Sequence, residues 1–244
     1  MIEKLTPILL VATIAMSFGI GVLWQKVNTL EKGSGGSANF AAGGADTGTV
    51  PSAPQQGKLS ADQAKAIPEI TKDDRARGGT NPEVTLIEYS DLQCPYCSSF
   101  HATGLEAMKA YGNKLKWVYR HFPLDTIHPQ ARPAAIAAEC VYQSGGADAY
   151  WKFIDDVFAN QQTALVDVAA TAGKYANAAT VKSCIDGKKT NDIVEKQYQG
   201  GLSAGVTGTP GIYVINKKGD AWLIPGAVPF ETLKVTIDEA IAAN

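Results

Sequence analysis

Two cysteines separated by two residues, Cys94-Pro95-Tyr96-Cys97, carry the clearest chemistry in this sequence. They follow a strand-like apolar run, Val84-Thr85-Leu86-Ile87-Glu88-Tyr89, and precede a helix-like run from Ser98 to Tyr111. A helix N-terminus leaves backbone N–H groups unpaired and carries partial positive charge. A cysteine placed there is stabilised as the thiolate, the nucleophilic form. The second cysteine, one turn later, can reach back and close a disulfide. Pro95 suits the first turn, because its missing N–H would be unpaired there anyway. The pattern is that of a dithiol redox site at a strand-to-helix junction.

Other uses of the pair are less well supplied. Zinc would draw on Cys94, Cys97 and His101, since Cys97 and His101 share a helix face, but a closed structural site needs a fourth ligand. Cys140 and Cys184 stand alone, so no second cysteine pair provides one. Haem attachment needs CxxCH, and Ser98 holds the histidine position. A purely structural disulfide across so short a loop would restrict the unfolded chain little. His101 alone reads as a helix-surface or satisfied core histidine. No metal, flavin or nucleotide cofactor is expected.

The chain has 244 residues, 45% hydrophobic and 19% charged, which suits one globular domain with additions. A net charge of −2 gives no reason to expect nucleic-acid binding. Leu5 to Trp24 carries no charge and is long enough to span a bilayer as a helix. A cleaved signal peptide is the alternative, but its apolar stretch would be shorter and end at small residues. This run continues into Gln25-Lys26-Val27 without such a site, so an uncleaved anchor is expected. The 4 cysteines, an even number, suit an oxidising compartment. The C-terminal domain is therefore expected outside the cytoplasm, on a single-pass cell-membrane protein.

Gly33 to Gly57 is rich in Gly, Ala, Ser, Thr and Pro and reads as a flexible linker. The expected division is 1–32 for the anchor and its flank, 33–80 for the linker and a pre-domain segment, and 81–244 for the compact domain. Within it, strands are expected at Val84–Tyr89, Leu115–Arg120, Ile212–Ile215 and Ala221–Ile224. Helices are expected over Pro95–Tyr111, several stretches between His128 and Gly205, and about Pro229–Ala242. The order β-α-β, helices, β-β-α is an α/β core with an inserted helical block.

Three blocks in this order resemble the DsbA-like branch of the thioredoxin superfamily. They are Glu88-Tyr89-Ser90-Asp91-Leu92-Gln93-Cys94-Pro95-Tyr96-Cys97, Tyr119-Arg120-His121-Phe122-Pro123 and Gly205-Val206-Thr207-Gly208-Thr209-Pro210. The resemblance runs from about Asn81 to the last helix. It implies a thioredoxin-like fold with a helical insertion and an attacking thiolate at Cys94, with Cys97 resolving. Pro95 and Tyr96 would face substrate. Thr209-Pro210 would be a cis-proline loop whose backbone pairs with an extended substrate strand. Glu88 would be the acid beneath the disulfide, able to hold or relay the Cys97 proton. Its alternative is a solvent-facing strand glutamate, and Ile87 and Tyr89 do not decide between them. Gly211 departs from the family, where a small hydroxyl residue is more usual. Cys140 and Cys184 read as two small buried hydrophobes or, as relatives imply, a disulfide clamping the insert.

The expected function is thiol–disulfide oxidoreduction on extracytoplasmic proteins, introducing disulfides through Cys94 and Cys97. The alternatives are an isomerase or reductase of the same fold, or a non-catalytic tethered chaperone or metal-binding module. Expected partners are cysteine-bearing substrate proteins, a membrane or soluble redox partner, and the bilayer through the N-terminal helix. A monomer is expected.

Overall fold

Apolar runs become the strands of a six-stranded mixed sheet in the computed structural model, which describes residues 56–244. The expected anchor at Leu5 to Trp24, and nearly all of the expected linker, lie outside the described residues. No helix among the described residues is long and apolar enough to cross a membrane. In chain order the elements begin with β1 (Gly57–Lys58), α1 (Ala61–Lys65), β2 (Arg75–Gly78), β3 (Val84–Ser90), α2 (Pro95–Tyr111) and β4 (Leu115–His121). The insert follows as α3 (Ala131–Ala159), α4 (Gln161–Ala164), α5 (Val168–Ala172), α6 (Ala178–Asp186) and α7 (Asn191–Ser203). The core closes with β5 (Gly211–Asn216), β6 (Ala221–Pro225) and α8 (Phe230–Ala242).

The strand order is β1-β6-β5-β3-β4-β2, and only β3 and β4 run parallel. Their parallel pairing needs a crossover, and α2 provides it. Both faces of the central strands are covered, which explains their continuous rather than alternating apolar sequence. Leu86, Phe100, Trp117, Val214, Leu233 and Ile237 form the layer beneath α2 and α8. Ile87, Tyr89, Val118 and Tyr213 fill the opposite face with Ile67 and Val206. The insert has its own core around Tyr150, Phe153, Ile154 and Val181, continuous with Leu92, Cys94 and Cys97.

The sheet begins earlier than the expected start near Asn81. Both edge strands, β1 and β2, precede that residue. The approach to β2 is pinned by buried charge pairs. Arg120 Nε and Nη2 donate to the two Asp74 carboxylate oxygens at 2.8 and 3.1 Å. Its remaining nitrogen donates to the Pro68 carbonyl and the Tyr89 hydroxyl. Arg75 donates to Glu139 on α3 and lies over the Tyr142 ring. In α3 the helix breaks at Gly146, whose φ of 75° is open to glycine at little cost.

Candidate active site

Glu88 and Ser90 alternate with Ile87 and Tyr89 along β3, so the strand's period of two turns them to the face under α2. Beside them on β4, Trp117 stands opposite Leu86 and Tyr119 opposite Glu88. Cys94 is the N-cap of α2 and Pro95 its first residue. Cys94 and Cys97 are unbonded thiols here, both buried, while Tyr96 between them is exposed.

The two sulfurs differ sharply. The Cys94 thiol is held down at about 5, first by a hydrogen bond from Cys97 and then by the Thr209 side chain and the Cys97 and Tyr96 backbone N–H groups, against the cost of burial. Burial pushes Cys97 well above the ordinary thiol range, and the bond it gives to Cys94 and the charge of Glu88 add to this. Of the two, Cys94 is the more readily ionised, and Cys97 is the sulfur that holds its proton. The Asp91 backbone N–H donates to Cys97 Sγ at 3.4 Å.

Thr209 and Pro210 face Cys94. Their peptide bond is cis, and the Thr209 carbonyl lies 3.5 Å from Cys94 Sγ. A cleft of about 230 Å³ runs beside this loop, lined by Val206, Thr207, Pro210, Tyr213, Leu223 and Pro225. Gly211 is explained by packing, since a Cβ there would lie 2.9 Å from Val206 Cγ1. A larger cavity of about 410 Å³ lies between Pro68–Arg75 and α7. Its Arg75 and Arg120 are already paired with Glu139 and Asp74, and Glu69, Asp73, Asp192 and Lys196 also line it.

Glu88 is fully buried, not solvent-facing. Burial raises its carboxyl to about 7, although Ser90, the Trp117 indole and the Arg77 charge all favour the ionised form. Trp117 Nε1 donates to Glu88 Oε2 at 3.0 Å. Trp117 is in turn held from behind. The Arg77 guanidinium sits over its ring at 4.4 Å and over the Trp151 ring at 4.1 Å. Gly104 on α2 makes room for the indole, as a Cβ there would meet the ring at 2.4 Å.

His101 is a core histidine. Its Nε2 lies 2.8 Å from Asp155 Oδ1, and its ring packs on Trp117 and Phe158. Among the described residues no group of His, Cys, Asp or Glu is arranged to hold a metal ion. Cys140 and Cys184 are joined as a disulfide between α3 and α6. Sequence reasoning missed Trp117, Arg77, Asp155, Gln161 and Asp91. Trp117 alone had a readable signal, its place one strand from Glu88 on the same face.

A family model described as thioredoxin matches residues 70–239. The chain belongs to that family. Solved structures share the fold with its helical insertion. They include oxidised BdbD from Bacillus subtilis, with TM-score 0.60 and 21% identity over 70% of this chain and 94% of that one. Alpha-DsbA1 from Wolbachia pipientis gives TM-score 0.61 and 21% identity over 74% and 96%. The Na(+)/H(+) antiporter NhaA 1 of Mycolicibacterium gilvum is 36% identical over 88 residues, which is 36% of this chain and 14% of the antiporter. The chain thus spans only about a seventh of that relative's length. The solved structures show the fold, and the family model shows the family, thioredoxin.

Proposed function

We propose that the protein introduces disulfides into extracytoplasmic proteins. The observation that carries this reading is the Cys94 thiol held at about 5 at the start of α2, beside a Cys97 that is hard to ionise. A substrate thiolate attacks Cys94 Sγ of the oxidised pair. The Cys94–Cys97 bond breaks, its electron pair leaves on Cys97, and Cys97 takes up a proton. Protonated Glu88, a buried carboxyl whose charge is felt at Cys97, is the proposed donor for that step. The substrate's second thiolate then attacks the substrate sulfur of the mixed disulfide, and Cys94 departs as a stable thiolate.

Magnitude sets how far this goes. A thiol at about 5 stabilises the reduced form at pH 7 by about 2.7 kcal/mol, against about 0.4 for a thioredoxin-like value near 7. The difference is roughly 50 mV, about a third of the gap between thioredoxin and DsbA. Equilibration in glutathione buffers tests the direction. A potential of about −220 mV or higher is expected, and one at or below about −270 mV makes the enzyme a reductant.

The Cys140–Cys184 bond supports an oxidising compartment, where such bonds persist. The uncharged Leu5 to Trp24 run supports a membrane tether. Mass spectrometry of protein made in a secreting host checks the tether. A mature N-terminus between Ser37 and Gly48 would mean a released enzyme. Partners on this reading are cysteine-bearing proteins and a redox partner that reoxidises the pair. Antiport is not carried over from a match covering 14% of the antiporter.

A further inference from the structure

The end of α3 and the start of α4 run along the redox helix α2 and meet it at three polar points. His101 Nε2 lies 2.8 Å from Asp155 Oδ1. Ser98 Oγ donates to the Phe158 carbonyl at 2.8 Å. Gln161 Nε2 donates to the Cys94 carbonyl and the Leu92 carbonyl, both at 3.0 Å. The partners fall in opposite order on the two segments, 101, 98 and 94 against 155, 158 and 161. The seam is therefore antiparallel, and its last rung ends on the nucleophile's own backbone.

We propose that Gln161 is a positioning residue for Cys94, through which the helical insert sets the reactivity of the thiolate. The Cys94 carbonyl is the first acceptor of α2, receiving the Ser98 N–H at 3.2 Å. Its negative end lies within the same residue as the thiolate. A second N–H donor on that oxygen, from Gln161, draws charge away from the sulfur. The bond to Leu92 fixes the approach to the cap, so the sulfur keeps its place against Thr209. Ala164 and Leu165, just beyond Gln161, pack in the cluster that contains Cys94 and Leu92. The insert thus covers the nucleophile and holds its backbone with one short segment.

The inference rests on Cys94 being the reactive thiolate. The other titratable groups facing it are Cys97 and, below, Glu88, and neither is altered in the test. Gln161→Leu keeps the bulk and removes both bonds. Gln161→Glu places acceptors against two carbonyl oxygens. Ser98→Ala breaks the middle rung and leaves Gln161 intact. Thiolate absorbance gives the Cys94 titration, glutathione equilibration the potential, and thermal unfolding the stability. Gln161→Leu should raise the Cys94 midpoint about threefold to tenfold in proton affinity, and Gln161→Glu further. The potential should fall by about 15–30 mV for Gln161→Leu. Ser98→Ala should lower the melting temperature without moving the titration. If Gln161→Leu leaves the titration at its wild-type value, whether or not stability falls, the proposal is wrong. An ordinary thiol titration in the wild type would instead overturn the functional reading itself.

Discussion

Glu88 is where burial and chemistry compete most openly. A carboxyl raised from 4.5 to about 7 binds its proton more tightly folded than unfolded. Folding stability from this group is complete below its unfolded value. It is lost as pH rises from about 4.5 through 7, and stays lost above. At about 1.4 kcal/mol per pKa unit the loss is of order 3 kcal/mol. Glu88→Gln removes the titration. Urea unfolding of the reduced protein should show the variant nearly equal to wild type at pH 4.5 and about 2–3 kcal/mol more stable at pH 8. Equal pH slopes for the two proteins would show that Glu88 is not so perturbed. On the proposed mechanism exchange should also slow in the variant, because Gln cannot supply the Cys97 proton.

The secondary elements were largely legible because each core strand is an apolar run and each helix ends at a recognisable break. Gly112 closes α2, and Gly146 breaks α3. The edge strand β2 was not legible. Its sequence, Arg75-Ala76-Arg77-Gly78, has no apolar pattern, and its order comes from partners 64 and 78 positions away, Glu139 and Asp155. Gln161 was invisible for the same reason, since its acceptors are backbone oxygens brought near by the fold. The insert's disulfide is a testable element-level support. It encloses a separation of 44 residues, for which chain entropy gives roughly 4 kcal/mol. Cys140→Ala with Cys184→Ala should lower the melting temperature and leave Cys94 exchange rates nearly unchanged. A large change in exchange rate would show that the insert's core, not only its backbone seam, reaches the active site.

At the scale of the whole chain, the folding unit includes residues that look like linker. Asp74 and Arg75 neutralise Arg120 and Glu139, all four buried or nearly so. Removing one partner of a buried pair typically costs about 3–5 kcal/mol. A chain starting at Asn81 should therefore be severely destabilised or unfolded, while one starting at Gln56 should match the full chain. Circular dichroism and urea midpoints of the two truncations compare them directly. Equal midpoints would show that the first edge strands are dispensable.

The stack of Arg77 between two indoles has an optical consequence. The chain has 4 tryptophans, and Trp222 bonds to Glu239 on α8. Trp117 instead donates to the one carboxyl that titrates at about 7 beneath Cys97. An indole's excited state responds to nearby charge. The emission of Trp117 should therefore change in intensity or colour as Glu88 ionises, and again as the sulfurs above it join or part. Each turnover would then be visible as light from the native protein, with no dye attached. Trp117→Phe should abolish that signal, whereas Trp222→Phe should leave it in place.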